Sequence, residues 1–175
     1  MPISGANLDS WIDEISQLSS DFTRSFEGKF GYPPGENYVR RVKPGLERRS
    51  VQLLSSTGIV GDLLDFYSLV EEVSLPDVGS GFFIHSADSL VDGIRGGQPT
   101  KVAGFIEDSI IVFGSDGGGA LFALNSLGMV VYRLDGGSLV GSVYEVDESG
   151  VNILARDLWN FLEYLRGELR RSYSS

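Results

Sequence analysis

The chain has 175 residues, 42% hydrophobic and 11% aromatic, a globular composition long enough for one domain with a sizeable core. It carries 24 acids against 14 bases, a net charge of −10, and no cysteine, which excludes disulfides, thiolate metal sites and cysteine nucleophiles. No apolar run approaches the roughly 18 residues of a membrane span and no basic-then-apolar leader is visible, so the expected location is cytoplasmic.

Leu8, Trp11, Ile12, Ile15, Leu18, Phe22 and Phe26 recur at three- and four-residue spacing and predict an amphipathic helix. Asn7 is its expected N-cap, and Gly28 with Gly31-Tyr32-Pro33-Pro34-Gly35 its expected stop. Residues 28–50 read as irregular and basic, with Arg40, Arg41, Lys43, Arg48 and Arg49. Such a run either stays solvated or docks on an acidic body of the same chain.

Val60, Leu63, Leu64, Tyr67 and Val70 predict a second helix over residues 60–72, followed by a short strand to Leu75 that Pro76 ends. Gly81 to His85 reads as a strand, and Ser86 caps a short helix through Leu90, Val91 and Ile94. Arg95 to Pro99 is loop. Four β segments follow near 102–107, 109–114, 119–125 and 128–133, on connectors too short for parallel crossovers. One more strand runs from Val140 to Val146. Val151, Leu154, Leu158, Phe161, Leu162, Leu165 and Leu169 form the stripe of a last helix, with Arg166, Arg170 and Arg171 in its final turns. This order predicts an α+β fold: a mixed, largely antiparallel sheet of five to six strands with helices packed on it.

The acidity is uneven. Residues 62–148 hold fourteen acids and three bases, so the charge concentrates where the sheet is predicted. Such a field repels nucleic acid and anionic membranes and attracts basic proteins. An acidic surface that only keeps the protein in solution is the other reading.

Little in the chain suggests bond-making chemistry. His85 is the only histidine, beside Ser86 and Asp88, but neighbours along a strand end point apart. Glu71-Glu72, Glu107-Asp108 and Asp147-Glu148 are paired only along the backbone, and strand neighbours face opposite ways. Ser115-Asp116-Gly117-Gly118-Gly119 lacks the lysine of a phosphate-binding loop and leads into a strand, so it reads as a tight turn, with a ligand cradle as the alternative. No catalytic residue, cofactor or metal site is expected.

Phe113-Gly114-Ser115-Asp116-Gly117-Gly118-Gly119, followed by Leu121-Phe122-Ala123-Leu124, resembles the central signature of the SUKH superfamily, which includes a fungal cell-wall-synthesis regulator and many bacterial immunity proteins. Val131-Tyr132 or Val143-Tyr144 matches its Val-Tyr strand, and Ala155 to Leu162 matches its closing helix. The proline of the family's Leu-Pro pair is missing before the helix region Ile59 to Tyr67, and Glu72 to Gly79 replaces its Asn-Gly-Gly turn. The resemblance covers residues 58–166 as the core of a single domain spanning 1–175, with residues 1–50 as an N-terminal helix and basic extension. It implies a compact α+β domain without catalytic residues that binds a protein, often a toxin.

The leading expectation is therefore an immunity protein that occludes a basic toxin domain, such as a nuclease, with an acidic face built from Glu71, Glu72, Asp77, Asp108, Asp116, Glu145 and Asp147. The alternatives are a regulatory or scaffolding domain that binds a cellular protein through its N-terminal helix and basic segment, and a small-molecule binder that uses Gly117 to Gly119 with His85.

Overall fold

A computed structural model describes residues 2–175. In chain order the elements are α1 (Gly5–Phe30), β1 (Tyr38–Arg41), α2 (Glu47–Ser55), α3 (Asp62–Leu69), β2 (Val70–Leu75), β3 (Phe82–Ile84), α4 (Ala87–Asp92), β4 (Lys101–Gly104), β5 (Asp108–Asp116), β6 (Leu121–Asn125), β7 (Val131–Leu134), β8 (Ser138–Val140), β9 (Val143–Val146), β10 (Val151–Ala155) and α5 (Leu158–Ser174). The class is α+β, with ten strands where five to six were expected.

Seven strands form an antiparallel sheet in the order β1-β2-β3-β5-β6-β7-β10. A smaller sheet grows from the start of β5. There β4 pairs antiparallel with Asp108 and Ser109, β9 pairs parallel with β4, and β8 pairs antiparallel with β9. The β4–β9 pair is the one parallel pairing among the described residues.

The middle of the large sheet is buried on both faces, and its sequence shows why. Along Ile110-Ile111-Val112-Phe113 the side chains alternate between two cores, so the run is continuously apolar. Phe113, Phe122, Leu124 and Val131 join the main core under the helices, where Phe113 meets Phe161 edge to face at 5.2 Å. Ile110, Val112, Ala123, Tyr132 and Leu134 face the small sheet and pack with Val102 and Val146.

The first helix is integral to the main core. Its stripe is buried, and Trp11 Nε1 donates to the Leu162 carbonyl of α5 at 2.9 Å. Ser4, not Asn7, is the N-cap: the Ser4 hydroxyl accepts from the Asn7 amide while Asn7 Oδ1 accepts from Ser4 N at 2.8 Å, a reciprocal capping box. The helix runs through Gly28 and ends against Gly31.

Four other expectations change. The helix expected over residues 60–72 is shorter: α3 ends at Leu69, and Val70 to Glu72 already belong to β2. The basic segment contains β1 and the start of α2, and it docks on the chain's own acids. Arg40 pairs with Glu72, Arg41 with Asp9 and Asp13 at 2.9 and 3.0 Å, and Arg49 approaches Asp88 at 3.9 Å. The strand from Val140 to Val146 is a hairpin, β8 and β9, that reverses at Gly141-Ser142. Residues 151–155 are strand β10; α5 starts only after Asp157, whose side chain accepts from Asn160 N at 2.7 Å.

Candidate protein-docking groove

The glycine-rich signature builds a closed turn. Asp116 ends β5 with its side chain turned inward. Its Oδ1 accepts from Gly118 N and Ala120 N, each at 2.9 Å, and its Oδ2 lies 2.9 Å from Arg133 Nη2 on β7. Gly114 and Gly117 are glycines because their backbones touch neighbours: a methyl on Gly114 would overlap the Phe83 carbonyl oxygen of β3, and one on Gly117 the Ser80 carbonyl oxygen. Gly117 N also donates to Ser80 O at 2.9 Å. Ser115 faces His85, with Oγ 3.1 Å from Nε2, and among the described residues no carboxylate completes a triad on that histidine. The Asp116, Gly117, Gly118 and Ala120 amides of this turn all donate to acceptors within the chain, which fits a closed structural turn.

The seven carboxylates proposed from sequence do not share one face. Asp116 is 6% exposed and holds Arg133. Asp108 accepts from the Tyr132 hydroxyl at 2.7 Å and from Asn125 Nδ2 at 3.3 Å. Glu72 holds Arg40 and the Tyr38 hydroxyl, and Asp77 accepts from Gly35 N and Asn37 Nδ2. Glu71 is half-buried at the start of β2, with Oε2 shielded and unpartnered. Glu71, Glu72 and Asp77 lie on or just after β2 in the large sheet, four strands along the hydrogen-bonded path from β9 in the small one (β2-β3-β5-β4-β9).

Glu145 and Asp147 do come together, at an open groove of about 610 Å³ on the small sheet. The parallel pairing of β4 with β9 sets Gly104 beside Val146, and Phe105 N donates to Val146 O at 2.9 Å. Phe105, 52% exposed, thus stands beside Glu145, Asp147 and Glu148. Gly136 and Ser138 complete the lining.

Among the described residues, none of these three carboxylates enters an ion pair. Asp147 caps the single 3-10 turn Glu148–Gly150, accepting from Ser149 N at 3.1 Å and from its hydroxyl at 2.5 Å. The Ser149 hydroxyl, with the Ser149 and Gly150 amides, outweighs desolvation and holds this carboxyl below the ordinary aspartate range, so it remains charged in mild acid. The three groups are spread along the groove. Among the described residues no three His, Asp or Glu side chains are grouped to hold a metal ion. What the arrangement offers is a cation-attracting groove with an aromatic wall, a combination that suits Lys or Arg side chains.

Glu148 was visible in sequence only as one half of an acidic pair. Phe105 was legible as a strand residue, but its exposure depends on a pairing across some forty residues. No helix among the described residues is long and apolar enough to cross a membrane. Comparison of the chain with family models, with curated proteins and with solved structures finds no match.

Proposed function

We propose that the chain is a non-catalytic protein-binding module that docks a basic partner in the groove of Glu145, Asp147 and Glu148 beside Phe105. One observation carries this reading: three neighbouring carboxylates, in no ion pair among the described residues, line a groove together with the exposed Phe105. The unpaired charge speeds encounter with a cationic surface, and Phe105 supplies a buried anchor once the groove closes.

The resemblance of residues 113–124 and 155–162 to the SUKH signature extends the proposal to a cytoplasmic immunity protein that covers the basic cleft of a toxin domain. The scaffolding alternative draws no support from α1, whose apolar stripe lies in the core, nor from Arg40 and Arg41, which are paired within the chain.

Association of the chain with polylysine, followed at low and moderate salt, tests the docking reading. Glu145→Lys/Glu148→Lys slows association and flattens its salt dependence. Glu27→Lys/Glu36→Lys, at two exposed acids away from the groove, makes the same change in net charge with a smaller effect. Equal effects from the two variants would show that only total charge matters.

A further inference from the structure

Resting on the reading of the groove as a docking site, we propose that the partner adds a basic, extended segment as a new strand along β8. This strand is the outer edge of the small sheet and, among the described residues, pairs only with β9. The large sheet guards its own edges: β1 carries Arg40 and Arg41, and β10 breaks register between Ile153 and Ala155. By contrast, β8 reads Ser138-Leu139-Val140, without charge, proline or register break.

The two-residue loop Gly141-Ser142 makes Val140 and Val143 the hydrogen-bonded closing pair of the hairpin. Leu139 is then a non-bonded position, and its N–H and C=O point outward, free to bond another strand.

The side chains divide in the same sense. Leu139 stands opposite Tyr144, which packs against the small core, yet Leu139 is 55% exposed because the sheet ends there. A further strand would cover it with an apolar residue. Ser138 points to the other face, opposite Glu145, and lines the groove. Its small side chain lets a lysine or arginine from the added strand reach across β8 to Glu145, about 10 Å away at two strand spacings. The geometry therefore selects a segment that alternates basic and apolar residues, with main-chain bonds for affinity and the groove for specificity.

A second copy of this chain is the poorer occupant. Pairing β8 with β8 would set the Glu145, Asp147 and Glu148 groove of one copy beside that of the other, in a chain of net charge −10.

The test uses the full chain and a synthetic peptide alternating lysine and valine, beside the same peptide N-methylated at the amides that would face β8. Hydrogen exchange at the Leu139 amide slows at least about tenfold with the unmodified peptide and is unchanged by the methylated one, which binds about tenfold more weakly. If both peptides bind alike and Leu139 exchange is unaltered, strand addition is wrong while charge-led docking stands. If Leu139 is already protected by self-association of the free chain, the second copy is the occupant. If neither peptide binds and groove charge reversal leaves polylysine association unchanged, the docking reading itself falls.

Discussion

Asp116 Oδ2 lies 2.9 Å from Arg133 Nη2, in a pair whose carboxylate side is 1% exposed and whose guanidinium side is 31% exposed. The bond ties the end of β5 to β7 across β6, and Asp116 also holds the glycine turn through two amides. Arg133→Ala strands an inward carboxylate. It costs about 2–3 kcal/mol, less than a fully buried pair because Arg133 is partly solvated, and lowers Tm by roughly 5–10 °C in calorimetry. The pH dependence is specific. Burial raises the Asp116 pKa, but the Arg133 bond and the Ala120 and Gly118 amides lower it further, to below its ordinary 3.8. A depressed folded value gives stability that is complete above 3.8 and lost as pH falls through the folded value. Asp116→Asn therefore flattens the acid limb of the stability curve; an unchanged limb would place the acid sensitivity elsewhere.

The glycines of the signature are not equivalent. Gly114→Ala and Gly117→Ala each drive a methyl into a backbone oxygen of the adjacent strand or turn, and each costs about 2–3 kcal/mol. Gly119 sits at φ +93°, so alanine there costs about 1 kcal/mol. At Gly118 a methyl meets only Asp116 Oδ1, at 3.6 Å, and alanine changes stability by less than about 0.5 kcal/mol. Urea melts of the four variants give this ranking. A uniform series would mean that the loop relaxes as a unit.

Where apolar residues repeat strongly, local pattern and structure agree: α1, β3, β5 and the body of α5 are legible from Trp11, Phe82, Ile110 to Phe113 and Phe161. The pattern misleads where two periods coincide. Val151 and Leu154 extend the stripe of α5 at helical spacing, yet they belong to β10, and the capping carboxylate of Asp157 marks the true start. Helix α2 hides because Leu54 is its one fully buried residue among the charges. The groove is least legible: Glu145, Asp147 and Glu148 adjoin in sequence, but Phe105 reaches them only through a parallel pairing of distant strands. Conversely, Asp108 and Asp116 read as surface charge until their partners Tyr132 and Arg133 are placed.

The N-terminal helix is part of the main core, and the chain is expected not to fold without it. Leu8, Trp11, Ile12 and Ile15 are at most 1% exposed, and α5 lies against them. Trp11→Ala removes a fully buried ring and its bond to Leu162 O, at a cost of about 3–5 kcal/mol. Deletion of residues 1–30 uncovers the whole α1-facing side of the core. The truncated chain binds a hydrophobic dye and loses its near-ultraviolet circular dichroism. A truncated chain with native spectra and a sharp thermal transition would make α1 an appendage.

His85 supplies a second, separate pH response. The residue follows the end of β3 with Nε2 3.1 Å from Ser115 Oγ on β5, and burial lowers its pKa from 6.5. The unfolded chain thus takes up a proton near pH 6.5 that the folded chain resists. By linkage, stability is full above 6.5 and falls as the pH drops toward the folded value, by about 1.4 kcal/mol for each unit between the two. His85→Gln retains a polar group near Ser115 and removes this slope. Denaturant melts across that interval, with proton NMR of the single histidine, measure both quantities. A ring that titrates at 6.5 would leave no slope, and one that titrates above 6.5 would make stability rise on acidification; either result overturns the burial argument.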